Sequence, residues 1–538
     1  MEEDLAAGSL YERALAARPA GAPSARPPRP SAAVVLWRRG AGGALEVFWV
    51  RRAETLAFMG GWHAFVGGAL AREDAGLEVA GTARGLDPGT AAPAPEGLLD
   101  GLPELPPDLV PGLLAGALRE LFEETGVLLA RELPPEAAIP PGLAAARRRL
   151  VAGEAGMAEI LAELGATLDA SRLVYAGRWL TPPFGPLRFD NRFFLAEWPY
   201  GAAVQPEVEE GELAAGEWIE PAAALARWRR GEVMAAPPVL HLLRVLAEDG
   251  SERGLPRLLD PREANLGPCR RIEFRPGFLA FPMRTATLPP ATATNAFLVG
   301  HGETVLIDPG SGDPVELDRL HRALAAALAA PGRRLAAIWL THHHPDHVGG
   351  VEATRAAFGV PVLAHPATAE RLAARGLRVD GTLEDGQEVT LAGEPPLTLR
   401  VVHTPGHARG HLCFFDAEGK TLLAGDLVAG VGTIVVDPPE GDMDDYLASL
   451  ETALALAPAT LLPAHGPAVH HGAAKLHEYL DHRLWREERV LAAWRAGLRE
   501  PQAMLPTVYA DVPPEAHPLA ARQIEAHLTR LRRAGRLE

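Results

Sequence analysis

Residues 336–347 read AAIWLTHHHPDH, an apolar run closing on Thr341-His342-His343-His344-Pro345-Asp346-His347. AAIWL has the composition of a buried strand, and side chains at the end of such a strand stand on a rigid base, as metal ligands must. His342 and His344 are two apart, so on extended backbone they point to the same side. Pro345 bends the chain before Asp346 and His347. Three later stretches repeat the arrangement of a β-rich run ending in a candidate ligand. VVHTPGH ends in His407, TLLAGD in Asp426 and TLLPAH in His465. Seven nitrogen and oxygen ligands suit two borderline divalent ions such as Zn2+. His343, lying between ligands, is read as a non-ligand and His403 as structural.

Outward from this segment, 538 residues are too many for one ordinary core, so two or three domains are expected. A hydrophobic content of 47% fits a globular chain. A formal charge of −17, from 52 Lys/Arg against 69 Asp/Glu, disfavours non-specific adhesion of the whole chain to nucleic acid. Two cysteines, Cys269 and Cys413, build neither a disulfide framework nor a thiolate zinc site. The first twenty residues lack an apolar core segment, and no apolar stretch reaches membrane-spanning length, so a cytoplasmic protein with no membrane partner is expected.

Strands are expected over 32–39, 45–52, 173–179, 192–198 and 336–340, and helices over about 116–129, 142–152, 156–164 and 314–330. Residues 75–118 read as an inserted Gly/Pro-rich loop with a helical end, 248–275 as a linker, and the section from about 474 as mostly helical.

The order HxHxDH, TPGH, GD and AHGP, covering roughly 280–470, resembles the metallo-β-lactamase superfamily of hydrolases. The resemblance implies that His342, His344 and His407 hold one metal, that Asp346, His347 and His465 hold a second, and that Asp426 bridges them. In such a site two cations about 3.5–4 Å apart acidify a shared water for attack on a carbonyl or phosphoryl centre. Asp346 would also orient the nucleophile, and His411, four after His407, is a substrate-side or supporting group. GDLVAGVGTIVVDPPEGDMDDYLASL and the C-terminal section resemble the branch that contains the lactamase-like endoribonuclease, which ends in a small winged-helix domain. Glyoxalase II and other thioester hydrolases share the metal motifs, so single-stranded RNA, a thioester or another ester all remain open as substrates. Residues 474–538 carry eleven Lys/Arg against nine Asp/Glu, and Arg530, Arg532, Arg533 and Arg536 cluster at the end of the last helix. This cluster is read first as cations complementing a helix C-terminus and second as a phosphate contact.

In the first half, Arg119-Glu120-Leu121-Phe122-Glu123-Glu124-Thr125-Gly126 places three carboxylates at i, i+3 and i+4 on one helical face. Carboxylates so close suit a hard cation, Mg2+ or Mn2+, and Gly126 ends the helix. REXXEEXG resembles the second half of the Nudix box. Gly67 and Gly68 form its first half, with Asp74 where the box has Glu, Val66 where it has Pro, and residues 75–118 interrupting it. RFDNRFFLA (188–196) strengthens the resemblance to Nudix proteins of the acyl-CoA diphosphatase type, over about 30–247. Ala57 stands where the second Arg of the CoA-associated signature belongs. The resemblance implies that Glu120, Glu123 and Glu124 bind the cation, that Arg119 braces them, and that Gly67 and Gly68 meet the substrate. One of Glu207, Glu209, Glu210, Glu212 and Glu217 would be a distal base.

The expected architecture is therefore a multidomain α/β and α+β chain. A Nudix α/β/α sandwich spans 30–247, a linker 248–275, a metallo-β-lactamase αββα sandwich 276–473 and a winged-helix domain 474–538. The leading functional reading is a bifunctional metal-dependent hydrolase acting on small molecules. The di-zinc site would cleave an ester, thioester or phosphodiester, and the Mg2+ or Mn2+ site a phosphoanhydride of a CoA or nucleotide derivative. Two alternatives stand beside it: a catalytic metallo-β-lactamase domain with a Nudix-like ligand sensor, and an RNA-processing endoribonuclease.

Overall fold

In the strand Arg29–Arg39, alternate side chains enter different cores, which makes this strand the centre of a two-faced sheet. The computed structural model describes residues 28–56, 59–86, 106–132, 142–182, 187–200, 204–208 and 211–537. Ala57, Glu209 and Glu210 lie outside the described residues. Two compact units emerge, one of Arg26–Pro182 and Leu187–Phe274, the other running from Arg275.

The first unit is built on a sheet in the order Leu213–Ile219, Leu45–Arg52, Arg29–Arg39, Phe189–Glu197, Leu173–Leu180. Arg29–Arg39 pairs antiparallel with Leu45–Arg52, where Leu36 faces Phe48, and parallel with Phe189–Glu197, where Val34 faces Phe194. Val34 and Leu36 pack with Leu118, Leu121 and Phe122 of the helix Val110–Thr125. Ala33 and Val35 pack on the other face with Trp228 and Leu243 from the helices Pro221–Arg229 and Pro237–Arg253. The result is the expected α/β/α sandwich. The helix bearing the three glutamates starts at Val110, earlier than the pattern suggests, because Pro111 sits in its first turn, where its missing N–H costs nothing. It ends at Thr125, short of Leu129. Gly126 turns left-handed (φ 73°) and its N–H caps the carbonyl of Phe122 at 2.9 Å.

The stretch expected as a linker is not a loose connection. It completes the helix Pro237–Arg253, forms the helix Leu255–Leu259, and pairs Asn265–Leu266 with Cys269–Arg270. Leu258 and Ala264 are buried in the core of the first unit, so apolar anchors within a polar stretch tie it down.

The second unit carries two sheets. The first runs Phe278–Arg284, Ala293–Val299, Glu303–Ile307, Arg334–Trp339, Val362–Ala364, Gly381–Thr382. The second is six-stranded, from Glu388–Leu391 through Leu397–His403, Leu412–Asp416, Thr421–Gly425 and Thr460–Pro463 to Val469–His470. Trp339 of the first meets Phe414 of the second with ring centroids 5.1 Å apart, so the sheets face each other. The helices Pro314–Leu328 and Val351–Phe358 accompany the first sheet, and Met443–Ala455 and Gly472–Arg495 pack on the second through Tyr446, Leu450, Leu476 and Tyr479, giving the αββα order. Gly472–Arg495 continues into a separate small core, where its Val490 and Leu491 meet Met504 and Val508 of Pro501–Val508 and Ile524 and Leu528 of His517–Arg533. One helix thus belongs to both bodies. Among the described residues no strand follows His470, and no helix is long and apolar enough to cross a membrane.

Candidate functional site

The two sheets of the second unit deliver their strand ends to one point. Arg334–Trp339 leads into His342, His344, Asp346 and His347; the second sheet supplies His407, Asp426 and His465 from the ends of three segments. All seven side chains are buried, and three ligand groups have donor atoms within 4.8 Å of one another: His342/His344/His407, His342/His347/Asp426 and Asp346/His347/His465. His344 Nδ1 lies 2.8 Å from His342 Nε2 and 2.9 Å from His407 Nε2. Asp426 faces both sides: Oδ2 is 3.4 Å from His407 Nε2, and Oδ1 is 3.6 Å from His347 Nε2 and 3.3 Å from His465 Nε2. Asp346 Oδ2 is 3.6 Å from His465 Nε2.

Four of the rings are oriented from behind. His347 Nδ1 donates to Asp308 Oδ2 at 2.8 Å, His342 Nδ1 to Thr341 Oγ1 at 2.9 Å, and His407 Nδ1 to the Val435 carbonyl at 2.6 Å. His465 Nδ1 lies 3.2 Å from the Ala293 carbonyl. The opposite nitrogens therefore present lone pairs to the centre. His347 Nε2, His465 Nε2, Asp426 Oδ1 and both carboxylate oxygens of Asp346 are buried with no hydrogen-bond partner. Orphaned ligand atoms of this type, converging in a buried pocket, fit divalent cations and are costly without them. Burial disfavours charging of every ring, and His342 and His344 fall well below the ordinary imidazole value. Around His347 burial is outweighed by Asp426, Asp346 and Asp308, which raise it well above that value. Against the upward push of burial, His465 and His347 hold Asp426 well below the usual carboxylate range.

His411 is a correction on the substrate side. It is fully buried, its Nε2 accepts the Asp426 N–H at 2.9 Å, and its Nδ1 donates to Thr404 Oγ1 at 2.8 Å, so it holds the Asp426 backbone rather than facing substrate. His343 belongs to none of the ligand groups. His403 stacks on His365, centroids 4.1 Å apart, and bonds the Arg409 carbonyl, a structural arrangement.

In the first unit, Glu120, Glu123 and Glu124 stand on the helix beside the Gly67-Gly68 turn. Gly67 (φ 153°) donates its N–H to Glu124 Oε2 at 2.8 Å. A Cβ on Gly67 would lie 2.1 Å from the Ala32 carbonyl oxygen, so that position needs glycine, and one on Gly68 would lie 2.3 Å from Glu120 Oε1, so a side chain there displaces the Glu120 carboxylate. Arg119 forks onto Asp74 (2.7 and 3.1 Å) and reaches Glu123 at 2.7 Å and Glu120 at 3.0 Å. Burial, opposed by Arg119, lifts Glu120 to about 7, and burial with the charge of Glu120 lifts Glu124 to about 8. Among the described residues the three glutamates do not form a group with all ligand atoms within 4.8 Å of one another, and Arg119 holds Glu123 at 2.7 Å. Of the distal-base candidates, Glu217 lies with Trp49 and Arg227 and accepts from both, at 3.1 and 2.5 Å. Trp49 belongs to the core on the opposite face from the glutamate helix, which removes Glu217 from the set. Glu207 is fixed by its N–H to the Thr125 carbonyl at 3.0 Å, and the charge of Glu212 acts on Glu124.

Residues 289–465 match the family model of the metallo-beta-lactamase superfamily. Lactamase-like protein vrtG of Penicillium aethiopicum is 34% identical over 283 residues, which cover 49% of this chain and 81% of the relative. The chain belongs to the metallo-β-lactamase superfamily. This superfamily member also carries a Nudix domain, since residues 14–246 match the NUDT19 Nudix domain model, and residues 501–538 match the beta-lactamase associated winged helix domain. Atrochrysone carboxyl ACP thioesterase of Aspergillus chevalieri is 37% identical over 203 residues, 38% of this chain and 60% of the relative. A NUDIX hydrolase structure from Alicyclobacillus acidocaldarius aligns with 29% identity and a TM-score of 0.35, over 42% of this chain and 95% of that one. The chain is thus a metallo-β-lactamase-fold hydrolase fused to a Nudix domain, a pairing that implies divalent metal use.

Sequence reading did not single out Asp308 in this superfamily member. It accepts Thr341 N–H at 2.8 Å, Thr341 Oγ1–H at 2.5 Å and His347 Nδ1–H. The signal was present in ETVLIDPG, an apolar strand ending in a carboxylate just as the ligand strands end in ligands.

Proposed function

We propose that the chain is a bifunctional hydrolase. Its two-cation site would cleave a thioester or related ester, and its glutamate-helix site a phosphoanhydride of a CoA or nucleotide derivative. The observation that carries the first part is Asp426, whose two oxygens face separate histidine groups. In this reading His342, His344 and His407 hold one cation, Asp346, His347 and His465 the other, and Asp426 is shared. Zn2+ suits the imidazole and carboxylate donors. Bound cations of this kind supply Lewis acidity and acidify water. Asp346, with both oxygens free of hydrogen bonds, orients the water nucleophile and takes up its proton.

A thioester as substrate is supported by the relative named as an ACP thioesterase. It is supported over RNA by the C-terminal arginines. Arg530 pairs with Glu487 and Asp444, Arg533 with Asp442 and Asp444, and Arg536 with Glu487 and Glu488, so the chain's own carboxylates engage three of the four arginines, while Arg532 lies over the Trp494 ring. In the first unit Glu120, Glu123 and Glu124 would hold Mg2+ or Mn2+, with Arg119 bracing them and Gly67-Gly68 opening backbone to a diphosphate. The incomplete convergence of the three carboxylates favours a second reading of this unit, a ligand sensor without turnover. A cytoplasmic setting belongs to the same proposal.

Full-length, Zn2+-loaded protein is to be assayed on acyl-thioesters and short single-stranded RNA, and with Mg2+ on CoA and nucleoside diphosphate derivatives. Asp426→Ala should abolish thioester hydrolysis and spare diphosphate cleavage, and Glu123→Gln should do the reverse. RNA cleavage lost in Asp426→Ala, with no thioester hydrolysis by the parent, overturns the substrate assignment. Tight binding of a diphosphate without turnover establishes the sensor.

A further inference from the structure

We infer that the C-terminal helical subdomain is a positioning element of the metal centre, acting on His407 through residues 433–438. The inference rests on the two-cation reading of the histidine cluster. The hydrogen bond from His407 Nδ1 to the Val435 carbonyl leaves the Nε2 lone pair facing His344 and Asp426. The ring can be no better aimed than that carbonyl. Val435 lies in irregular chain between the strand Thr421–Gly425 and the helix Met443–Ala455, where no ladder fixes a peptide's direction.

The fixing bonds come from the C-terminal helices on both sides of Val435. Arg483, on Gly472–Arg495, donates to the Ile434 carbonyl at 2.5 Å and to Thr433 Oγ1 at 3.3 Å. Arg522, on His517–Arg533, donates to Asp437 Oδ1 at 2.6 Å and also bonds the Pro438 carbonyl. Gln523, the next residue on that helix, in turn receives a bond from Arg483 at 3.3 Å. Arg483 is only 2% exposed, and its hydrogen bonds go to neutral oxygens rather than to a carboxylate. A buried guanidinium with no carboxylate partner among the described residues is a costly anchor, and it makes sense where the direction of the anchored carbonyl matters. The helices that could have been a separate nucleic-acid module are thereby committed to the hydrolase site.

Arg483 and Arg522 are positioning residues, so the test reads metal affinity. Full-length protein stripped of metal is titrated with Zn2+ against a chromophoric chelator. The parent should bind two ions. Arg522→Ala and Arg483→Met should weaken one of the two by about 10-fold, the lower range for loss of an outer support, while the other stays within about twofold. Arg522→Lys should recover most of the loss. Arg536→Ala, which breaks pairs to Glu487 and Glu488 in the same subdomain, should change neither ion. Should Arg483→Met fail to fold, the half-buried Arg522 still decides the matter. Unchanged affinities in Arg522→Ala, or equal weakening of both ions, overturn the inference and leave the two-cation reading standing. A parent protein that binds no Zn2+ overturns both.

Discussion

Asp308→Asn separates the role of charge from that of shape at the back of the metal centre. Asp308 is 2% exposed and has φ 50°, a left-handed conformation that asparagine adopts almost as readily as any non-glycine residue, so the backbone should not object. Its two oxygens receive three donors: Thr341 N–H on Oδ1, and Thr341 O–H and His347 Nδ1–H on Oδ2. Asparagine keeps one oxygen and brings an NH2, so in either flip at least one donor faces another donor. The loss of one hydrogen bond to a charged group corresponds to about 1.5–3 kcal/mol. Read at the metal, an outer support of this kind is worth about 10–100-fold in affinity, or about 1.4–2.7 kcal/mol, so the two routes agree. Removing the carboxylate also lowers the proton affinity of His347, which offsets part of the loss where protons compete. Chelator competition at pH 7.5 should therefore show one Zn2+ weakened by at least about 10-fold, with thioesterase activity falling at limiting metal. Affinities within twofold of the parent would show that Asp308 does not orient His347.

Further outcomes concern the first unit. Gly68→Ala places a Cβ 2.3 Å from Glu120 Oε1; the carboxylate must swing away, leaving stability nearly unchanged but lowering Mg2+-dependent diphosphate cleavage by about 100-fold, with the zinc activity as internal control. Arg119→Met strands the fully buried Asp74 and should cost about 3–5 kcal/mol in urea unfolding of this unit, whereas a loss below 1 kcal/mol would deny the buried pair its role. With metal chelated, Glu120 and Glu124, at about 7 and 8 against 4.5 in the unfolded chain, bind more protons folded than unfolded. Stability of this unit should consequently fall as pH rises from about 4.5 to 8. Mg2+ should reverse the fall most strongly at the alkaline end, and Glu124→Gln should flatten it; a thermal midpoint rising with pH in the presence of EDTA would contradict the assignment.

Much of this was legible in the sequence because the motifs are local. HxHxDH on a strand end, and three carboxylates at helical spacing, bring their groups together through the period of one element. Strand and helix patterning indicated α/β layering, and the α/β/α and αββα orders were what the family resemblances implied. What stayed hidden depends on other chain segments. Asp308 reaches His347 because Glu303–Ile307 runs parallel to Arg334–Trp339, which lines up the two strand ends and brings together side chains 39 residues apart. The Val435 and Ala293 carbonyls carry no side-chain signature at all. The spacing of His411 from His407 left a substrate-side and a supporting role open, and only the fold shows that it turns inward onto the Asp426 N–H. Residues 248–275 looked like a linker through their charge, while Leu258 and Ala264, two ordinary apolar residues, decide otherwise.

Every ligand group in the centre draws on both sheets: two histidines of the 342–347 segment with His407, two residues of it with Asp426, two with His465. A growing chain therefore offers no complete cation site until it has been synthesised past residue 407, and no pair of sites until past 465. Uptake at a complete site would thus depend on chain from both layers, so cation loading would report on the two sheets having met.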